Sequence, residues 1–182
     1  MKRVIAVLGL LVVVSSTLAA QRPQTRSGFW INLGVGNGSL GCENCDGRTS
    51  AVSGQLALGG TLSDKLLLGG SINNWTKEEG GLTLSASTVT AMVRFYPSAT
   101  GGFFLSGGLG LATTSANIDI GAFGFENELF LEDNGVGALI GAGYDIRVGR
   151  NISITPFFNG YGMYMDGGNL NVVQVGVGMT IH

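Results

Sequence analysis

Two groups of residues in this 182-residue chain could carry chemistry. The only cysteines, Cys42 and Cys45, stand in the stretch GCENCDGR with C-x-x-C spacing. That spacing fits a redox dithiol, half of a zinc site or a small disulfide. The only histidine, His182, is the last residue of the sequence, and a Ser-His or Asp-His centre would need partners supplied by the fold. The choice among these interpretations depends on the compartment and on the elements that carry the residues.

The first twenty residues have the composition of a secretory signal peptide. MKRVIAVLGLLVVVSSTLAA begins with basic residues, continues in an apolar run and ends in small residues. Because that run is too short to span a bilayer, we predict that residues 1–20 are removed on export, with an uncleaved anchor as the alternative. Residues 21–27 (QRPQTRS) form a polar lead-in, and order is expected to begin at Gly28.

The composition of the whole chain is unusual for a soluble globule. It combines 32 glycines with only 12% charged residues and a mean hydropathy of +0.34. Without the two basic residues of the signal peptide, eight basic residues face twelve acidic ones, a net charge of about −4. Nucleic acid is therefore not expected as a partner.

From Gly28 onward, apolar residues alternate with small or polar ones at a period of two, which predicts β-strands. In GFWINLGVGNG, for example, Phe29 and Ile31 lie on one face, and Trp30 and Asn32 on the other. Eight such strands of about ten residues can be counted, the length that a tilted strand needs to cross a bilayer.

The second face of these strands distinguishes two architectures. A soluble barrel or sandwich would need Lys and Glu on the face that meets water. Here that face carries Gly, Ser, Thr, Asn and Gln with almost no charge, which suits a narrow lumen filled by small polar groups. We therefore predict that residues 28–182 form an all-β, eight-stranded antiparallel up-and-down transmembrane β-barrel. A soluble exported ligand-binding barrel is the alternative.

The connections between strands predict an orientation. Three are short, at residues 63–64, 97–101 and 149–150, and they alternate with four longer polar ones, at residues 41–49, 76–81, 117–134 and 163–169. Membrane barrels place short turns in the periplasm and longer loops outside the cell. We expect an outer-membrane location with both chain ends in the periplasm.

With these features the chain resembles the small eight-stranded outer-membrane barrels of the OmpA/OmpX-like type. In that family the last strand carries alternating apolar residues, a glycine and a terminal aromatic, which the barrel-assembly machinery reads during insertion. The final strand NVVQVGVGMTIH matches the alternation at Val175, Gly176, Val177, Gly178, Met179 and Ile181. It departs from the pattern at its end, because the lipid-facing register stops at Ile181.

Some barrels of this size are enzymes, for example lipid A deacylases and palmitoyltransferases, and those depend on a histidine. No histidine occurs in the predicted longer loops. His182 is expected near the lipid headgroups at the periplasmic end, without catalytic partners. We predict a non-enzymatic protein without a cofactor or metal.

Charges enclosed in a narrow barrel are costly unless they are paired. Three charged residues share the lumen register and are predicted to form a structural cluster, with a gate or proton path as the alternative: Arg94, Asp145 and Arg147. Three bulky side chains in that register would fill the lumen: Trp30, Trp75 and Tyr161. A narrow channel or conduit for small or apolar solutes is therefore the second-ranked function.

The predicted longer loops hold ten of the twelve acidic residues. Such charge keeps loops solvated, or binds lipopolysaccharide through divalent cations, or meets a basic ligand. The third of these loops also carries apolar residues, and we expect it to extend as a hairpin that contacts an unidentified surface protein. The residues proposed for that contact are Phe123, Phe125, Glu126, Glu128, Leu129, Phe130 and Leu131. A monomer in contact with outer-membrane lipid is expected.

Export places GCENCDGR in an oxidising compartment, in the first longer loop. The residues after it lead into a strand rather than a helix that would lower a thiol pKa. Neither a cysteine nor a loop histidine remains to complete a zinc site. A Cys42–Cys45 disulfide is therefore predicted, with free thiols as the alternative, and Glu43 and Asp46 beside it are the expected points of contact.

Overall fold

The computed structural model of this protein describes residues 26–43, 45, 47–119 and 128–182, and of residues 118, 119 and 128–130 the backbone alone. The predicted signal peptide, residues 1–20, lies outside the described residues. So do Asp46 and three residues of the proposed contact loop: Phe123, Phe125 and Glu126. In the part of the chain that is described, no helix is long and apolar enough to cross a membrane.

The described chain forms one antiparallel sheet that closes on itself. Its strands are β1 (Phe29–Cys42), β2 (Arg48–Ser63), β3 (Leu66–Glu79), β4 (Leu82–Phe95), β5 (Phe103–Asp119), β6 (Glu128–Tyr144), β7 (Ile146–Arg147), β8 (Ile152–Met165) and β9 (Gly168–Ile181). β6 and β7 are two parts of one wall strand interrupted at Asp145, since both pair with β8. β9 pairs with both β8 and β1. The predicted all-β, eight-stranded antiparallel up-and-down barrel is confirmed.

Apart from β7, the strands are 14 to 17 residues long rather than about ten. We call the end with the β1–β2, β3–β4, β5–β6 and β8–β9 connections the loop end, and the opposite end the turn end. Longer loops were predicted at residues 76–81 and 163–169, and this was wrong because most of these residues continue the strands. Gly80-Gly81 alone joins β3 to β4, and their φ angles of 61° and 83° are those of a tight hairpin turn.

The β5–β6 hairpin has the longest strands of the barrel. It is paired from Phe103 with Tyr144 at the turn end to Asp119 with Glu128 at the loop end. The flanking strands therefore extend to the edge of the described residues, as the apolar content of this segment predicted.

The outer face of the barrel is apolar and exposed. Leu109, Leu111 and Ile140 are each about 70% exposed. At the turn end the apolar face includes aromatic residues, among them Phe29, Phe95 and Phe103.

Toward the loop end the same face becomes polar. The Asn74 amide donates to Ser87 at 2.7 Å, and Thr76 pairs with Ser85 at 3.2 Å. An apolar band thus surrounds the barrel, and polar hairpins rise above it at one end.

Candidate functional site inside the barrel

The turn end of the interior is packed with aromatic and charged side chains. Trp30, Tyr96 and Phe104 are almost completely buried there, together with Leu67. The Arg94 guanidinium lies 4.7 Å from the centre of the Trp30 ring and 4.1 Å from that of Phe104. Cation–π contacts of this kind stabilise a buried arginine more than an exposed arginine, because the buried contact is desolvated.

Asp145 is completely buried beside this cluster and accepts hydrogen bonds from neighbouring hydroxyl groups. The Tyr96 hydroxyl donates to Asp145 Oδ2 at 2.7 Å, and the Thr155 hydroxyl donates to Oδ1 at 2.7 Å. Burial raises the pKa of Tyr96 to about 12, so this phenol keeps its proton and remains a donor. Asp145 interrupts the wall strand, and its backbone N–H donates to Gly102 in the neighbouring connection.

His182 was expected near the lipid headgroups without partners, and this was wrong. Its side chain is only 2% exposed, and Nε2 lies 3.6 Å from Asp145 Oδ2. Its backbone N–H donates to Asn151. The closure of β9 against β8 carries this residue over the turn end and folds it inward. An Asp–His pair therefore exists, and it is buried away from solvent.

Two residues of the predicted lumen cluster are buried within the turn end: Arg94 is 2% exposed and Asp145 is 0% exposed. Arg147 is half-buried at the rim, where its guanidinium donates to the Arg150 carbonyl at 2.5 Å. Trp30, which was predicted to fill the lumen, does so.

Arg26 lies in the segment that was predicted to be a polar lead-in, and it contacts the turn end of the barrel. Arg26 is 3% exposed, and its guanidinium donates to the carbonyls of Asp64, Ala99 and Gly101. It also stacks 3.4 Å over the centre of the Tyr96 ring. Burial lowers the pKa of Arg26, and Tyr96 offsets part of that effect. One side chain thus ties two turns of the barrel across its opening.

The middle of the interior is a polar network. The Asn159 amide donates to Gln55 at 2.5 Å and to Gln174 at 3.3 Å, and the Gln55 amide donates to Asn32. The cavity left between these side chains and Arg94 measures about 10 Å³, which is the space of about one water molecule. The polar lumen filling that was predicted is therefore present at this level.

Toward the loop end the interior becomes apolar, and the prediction of small polar groups was wrong there. The buried cluster consists of Trp75, Ala86, Ala112, Leu139, Tyr161, Met163 and Val172. The Trp75 indole donates to the Gly38 carbonyl at 3.0 Å. A Cβ at residue 38 would lie 2.7 Å from the indole, so this approach requires glycine. Trp75 and Tyr161 fill the lumen as predicted.

Above this cluster, the barrel mouth contains a cavity of about 350 Å³, which we call the apolar chamber. Small-molecule sites usually have volumes of about 300–1,000 Å³. Its apolar walls are Leu40, Trp75, Leu84, Ala86, Ala116, Leu131 and Leu170. Leu131, which was proposed for partner contact, therefore borders this chamber, whereas for Glu128, Leu129 and Phe130 only the backbone position in β6 is described.

A second cavity of about 360 Å³, the acidic chamber, adjoins the first. Thr114, Asp133 and Leu170 line both chambers. Glu43 also borders the acidic chamber, and its carboxylate accepts a hydrogen bond from Asn169 at 2.9 Å. Among the described residues, no group of three or more metal-binding side chains is close enough to hold a metal ion.

Cys42 and Cys45 form the predicted disulfide. It closes a small ring where β1 ends, and Cys42 borders the acidic chamber. Glu43 lies between the two cysteines within this ring.

The last strand has the alternation that the resemblance requires. Val175, Val177, Met179 and Ile181 are exposed on the apolar outer face. Gly176 and Gly178 face inward, and a Cβ at residue 176 would clash with the Val35 carbonyl of β1. These glycines allow the closing strand to approach β1.

The sequence interpretation missed several residues that complete these layers: Arg26, Tyr96, Thr155, Gln55, Asn159 and Gln174. The polar ones occupy the lumen register, so their direction was predictable, but their partners come from distant strands. The apolar chamber did leave a signal in the sequence, since Leu40, Leu84 and Leu170 interrupt the polar register near the strand ends.

Comparison with solved structures places this architecture among known proteins. Neisserial surface protein A (NspA) shares 16% sequence identity with the chain, covering 87% of this chain and 99% of its own, with a TM-score of 0.59. Ail, the attachment invasion locus protein of Yersinia pestis, in complex with the heparin analogue sucrose octasulfate, gives a TM-score of 0.62 at 14% identity, covering 86% of this chain and 100% of its own. The fold is that of the small outer-membrane barrels.

The N-terminal β-barrel domain of OprF from Pseudomonas aeruginosa has the same fold at 14% identity and a TM-score of 0.52, covering 87% of this chain and 100% of its own. No protein-family model matches the chain, and no curated protein matches its sequence. The similarity to these solved structures therefore supports the architecture alone.

Proposed function

We propose that this protein is a non-enzymatic, integral barrel of the bacterial outer membrane that makes surface contacts through its loop-end hairpins. The exposed apolar band carries this proposal. In water, a continuous apolar surface of this kind would drive aggregation, whereas lipid accepts it, and the closed sheet satisfies the backbone groups that lipid cannot. The aromatic residues at the turn end match the girdle of a membrane barrel.

The loop end is proposed to face the outside of the cell. Its polar hairpins rise above the apolar band, and most acidic residues belong to it. The solvated acids would meet lipopolysaccharide through divalent cations. The β5–β6 hairpin reaches furthest and is proposed to contact a surface protein.

A conduit through the lumen is opposed by the described interior. Arg26 and Arg94 with their aromatic neighbours fill the turn end, and the cavity described in the middle measures about 10 Å³. The reactive residues argue against an enzyme, because the single histidine and its Asp145 neighbour are enclosed within the turn end.

Location is tested by fractionating cells and by surface proteolysis. The chain is expected in the outer membrane, with folded protein running faster than heated protein on a gel. A protease site introduced between Gly80 and Gly81 should be cleaved on intact cells. A matched site at Asp64-Lys65 should be cleaved only after the outer membrane is opened. The reverse cleavage pattern would overturn the orientation, and purification without detergent would overturn membrane insertion.

Surface contact is tested by replacing residues 120–127 with a short turn. The barrel should still insert, while adhesion of cells to host or bacterial surfaces should fall. If adhesion equals that of cells with the intact protein and exceeds that of cells lacking it, this hairpin is not the contact.

A further inference from the structure

The apolar and acidic chambers at the barrel mouth adjoin each other and differ in chemistry. The first is walled mainly by leucine, alanine and Trp75, and the second by polar groups with two carboxylates. Asp133 lies on the boundary and lines both chambers. A single small molecule could therefore place an apolar body in one chamber and a polar group in the other.

The carboxylates determine the charge of that polar group. Among the described residues, no lysine or arginine lies within ion-pair distance of Asp133 or Glu43. The two basic side chains described at the loop end, Lys77 and Arg48, contact other groups. Lys77 pairs with Glu79 at 2.5 Å, and Arg48 donates to Ser39 and Asn171. Two uncompensated carboxylates at a partly enclosed site favour a cation and oppose an anion.

We propose that the two chambers form one binding site for a small organic cation with an apolar body, such as an arylalkylammonium ion. The apolar body packs on Trp75 and the surrounding leucines, which supplies affinity by burying apolar surface. The ammonium group reaches Asp133 and the side of the acidic chamber that Glu43 borders. The polar layer below closes the site, so the ligand is held at the mouth and does not pass through. This site goes beyond the surface-contact function and does not depend on it.

Binding can be measured with the protein's own fluorescence, because the chain contains only two tryptophans. Trp75 lines the apolar chamber, whereas Trp30 is enclosed at the turn end. The Trp30→Phe variant therefore reports on the chamber, and Trp75→Phe is its matched control. The barrel is placed in nanodiscs of zwitterionic phospholipid, and folding is verified by heat-modifiable gel mobility.

The probe is 2-(4-bromophenyl)ethylammonium, whose bromine quenches a tryptophan that it contacts. Its neutral and anionic counterparts are 2-(4-bromophenyl)ethanol and 3-(4-bromophenyl)propanoate. Saturable quenching by the ammonium probe is expected in Trp30→Phe and not in Trp75→Phe. The ammonium probe should bind about tenfold or more tightly than the propanoate. Equal affinity for all three probes, or equal quenching of both single-tryptophan variants, would show partition into lipid and overturn the site.

Three further variants separate the effect of charge from the effect of shape. Asp133→Asn should weaken the ammonium probe about three- to tenfold and leave the ethanol probe unchanged. Glu78→Gln removes the same charge from an exposed position on the outer face and should change neither. Ala116→Phe, which fills the apolar chamber, should weaken all three probes. If Asp133→Asn leaves the ammonium affinity unchanged, or if ammonium chloride competes as well as the probe, the proposal fails.

Because a variant can fail to fold, the comparison of the three probes is also made on the unmodified chain. In the unmodified chain, the ammonium probe should quench only the part of the tryptophan fluorescence that Trp75 emits. Absence of saturable quenching by the ammonium probe in the unmodified chain would by itself overturn the proposal.

Discussion

At the turn end of the barrel the interior is filled by ionised and aromatic groups, whereas at the loop end it opens into two chambers. Both ends are built on the same inward register of the same strands. At the turn end Asp145 accepts hydrogen bonds from Tyr96 and Thr155, and Arg94 packs against the Phe104 ring. The loop end leaves Asp133 and Glu43 without a cationic partner among the described residues.

This difference separates stability from binding. A buried charge that loses its partner is strongly destabilising, so substitutions at the turn end should lower the stability of the barrel. A carboxylate at a hydrated mouth contributes little to folding but remains available to a ligand. Four predictions test this comparison, from the largest expected effect to the smallest.

Removal of residues 173–182 should abolish membrane insertion. Most of β9 is lost, and its pairing with both β1 and β8 is what closes the sheet. Open strand edges cannot satisfy their backbone groups in lipid. Resistance to extraction from outer membranes is the measurement, and Ile181→Ala, which keeps the strand, should still insert. A truncated chain that resists extraction would show that closure through β9 is dispensable.

Asp145→Ala should lower the free energy of unfolding by about 3–5 kcal/mol, because it leaves Arg94 enclosed without its nearby carboxylate and removes the acceptor of Tyr96 and Thr155. Asp133→Ala at the loop end should cost less than about 0.5 kcal/mol. Urea unfolding in lipid vesicles, followed by tryptophan fluorescence, measures both. Equal losses for the two variants would remove the distinction between the ends.

Arg26→Met should cost about 2 kcal/mol, since methionine keeps much of the stem but donates no hydrogen bond to the three turn carbonyls. The matched control is Arg48→Met on the outer face at the loop end, which should cost less than about 1 kcal/mol because its contacts are exposed. The same unfolding experiment applies. A larger loss for Arg48→Met would contradict the assignment of Arg26 as the closing residue.

Replacement of both Cys42 and Cys45 by serine should cost about 1 kcal/mol, the smallest effect, because the ring is short and constrains the unfolded chain little. Unfolding is compared with and without reductant, and the serine variant should not respond to reductant. If the loss exceeds that of Arg26→Met, the loop end contributes more to stability than its open structure indicates.

Much of the wall was predictable from the sequence because strand alternation is local. The direction of Trp30, Trp75, Arg94 and Asp145 follows from a period of two, and closure follows from the apolar outer face. The connection lengths were less predictable. Polar residues such as those at 76–79 look like a loop, but they pair as a strand that rises above the apolar band.

The contacts between side chains within the lumen could not be predicted from the sequence in the same way. Alternation assigns a residue to a face but not to a height, and partners across the lumen are set by strand tilt and register. The Asn159–Gln55 bond joins residues 104 positions apart, and Arg26 reaches a carbonyl 75 positions away. Such contacts depend on how the sheet closes rather than on any local pattern.

The sequence by itself determined that this chain forms a barrel with an apolar outer face, because backbone geometry sends successive side chains to opposite sides. It also favoured the disulfide, because export to an oxidising compartment favours a bond between the two cysteines. Only the tertiary structure decided that His182 meets Asp145, that Arg26 closes the turn end and that two chambers meet at Asp133. Closure of the sheet brings β9 against β1 and β8, and only then do inward side chains from distant strands share one enclosed space.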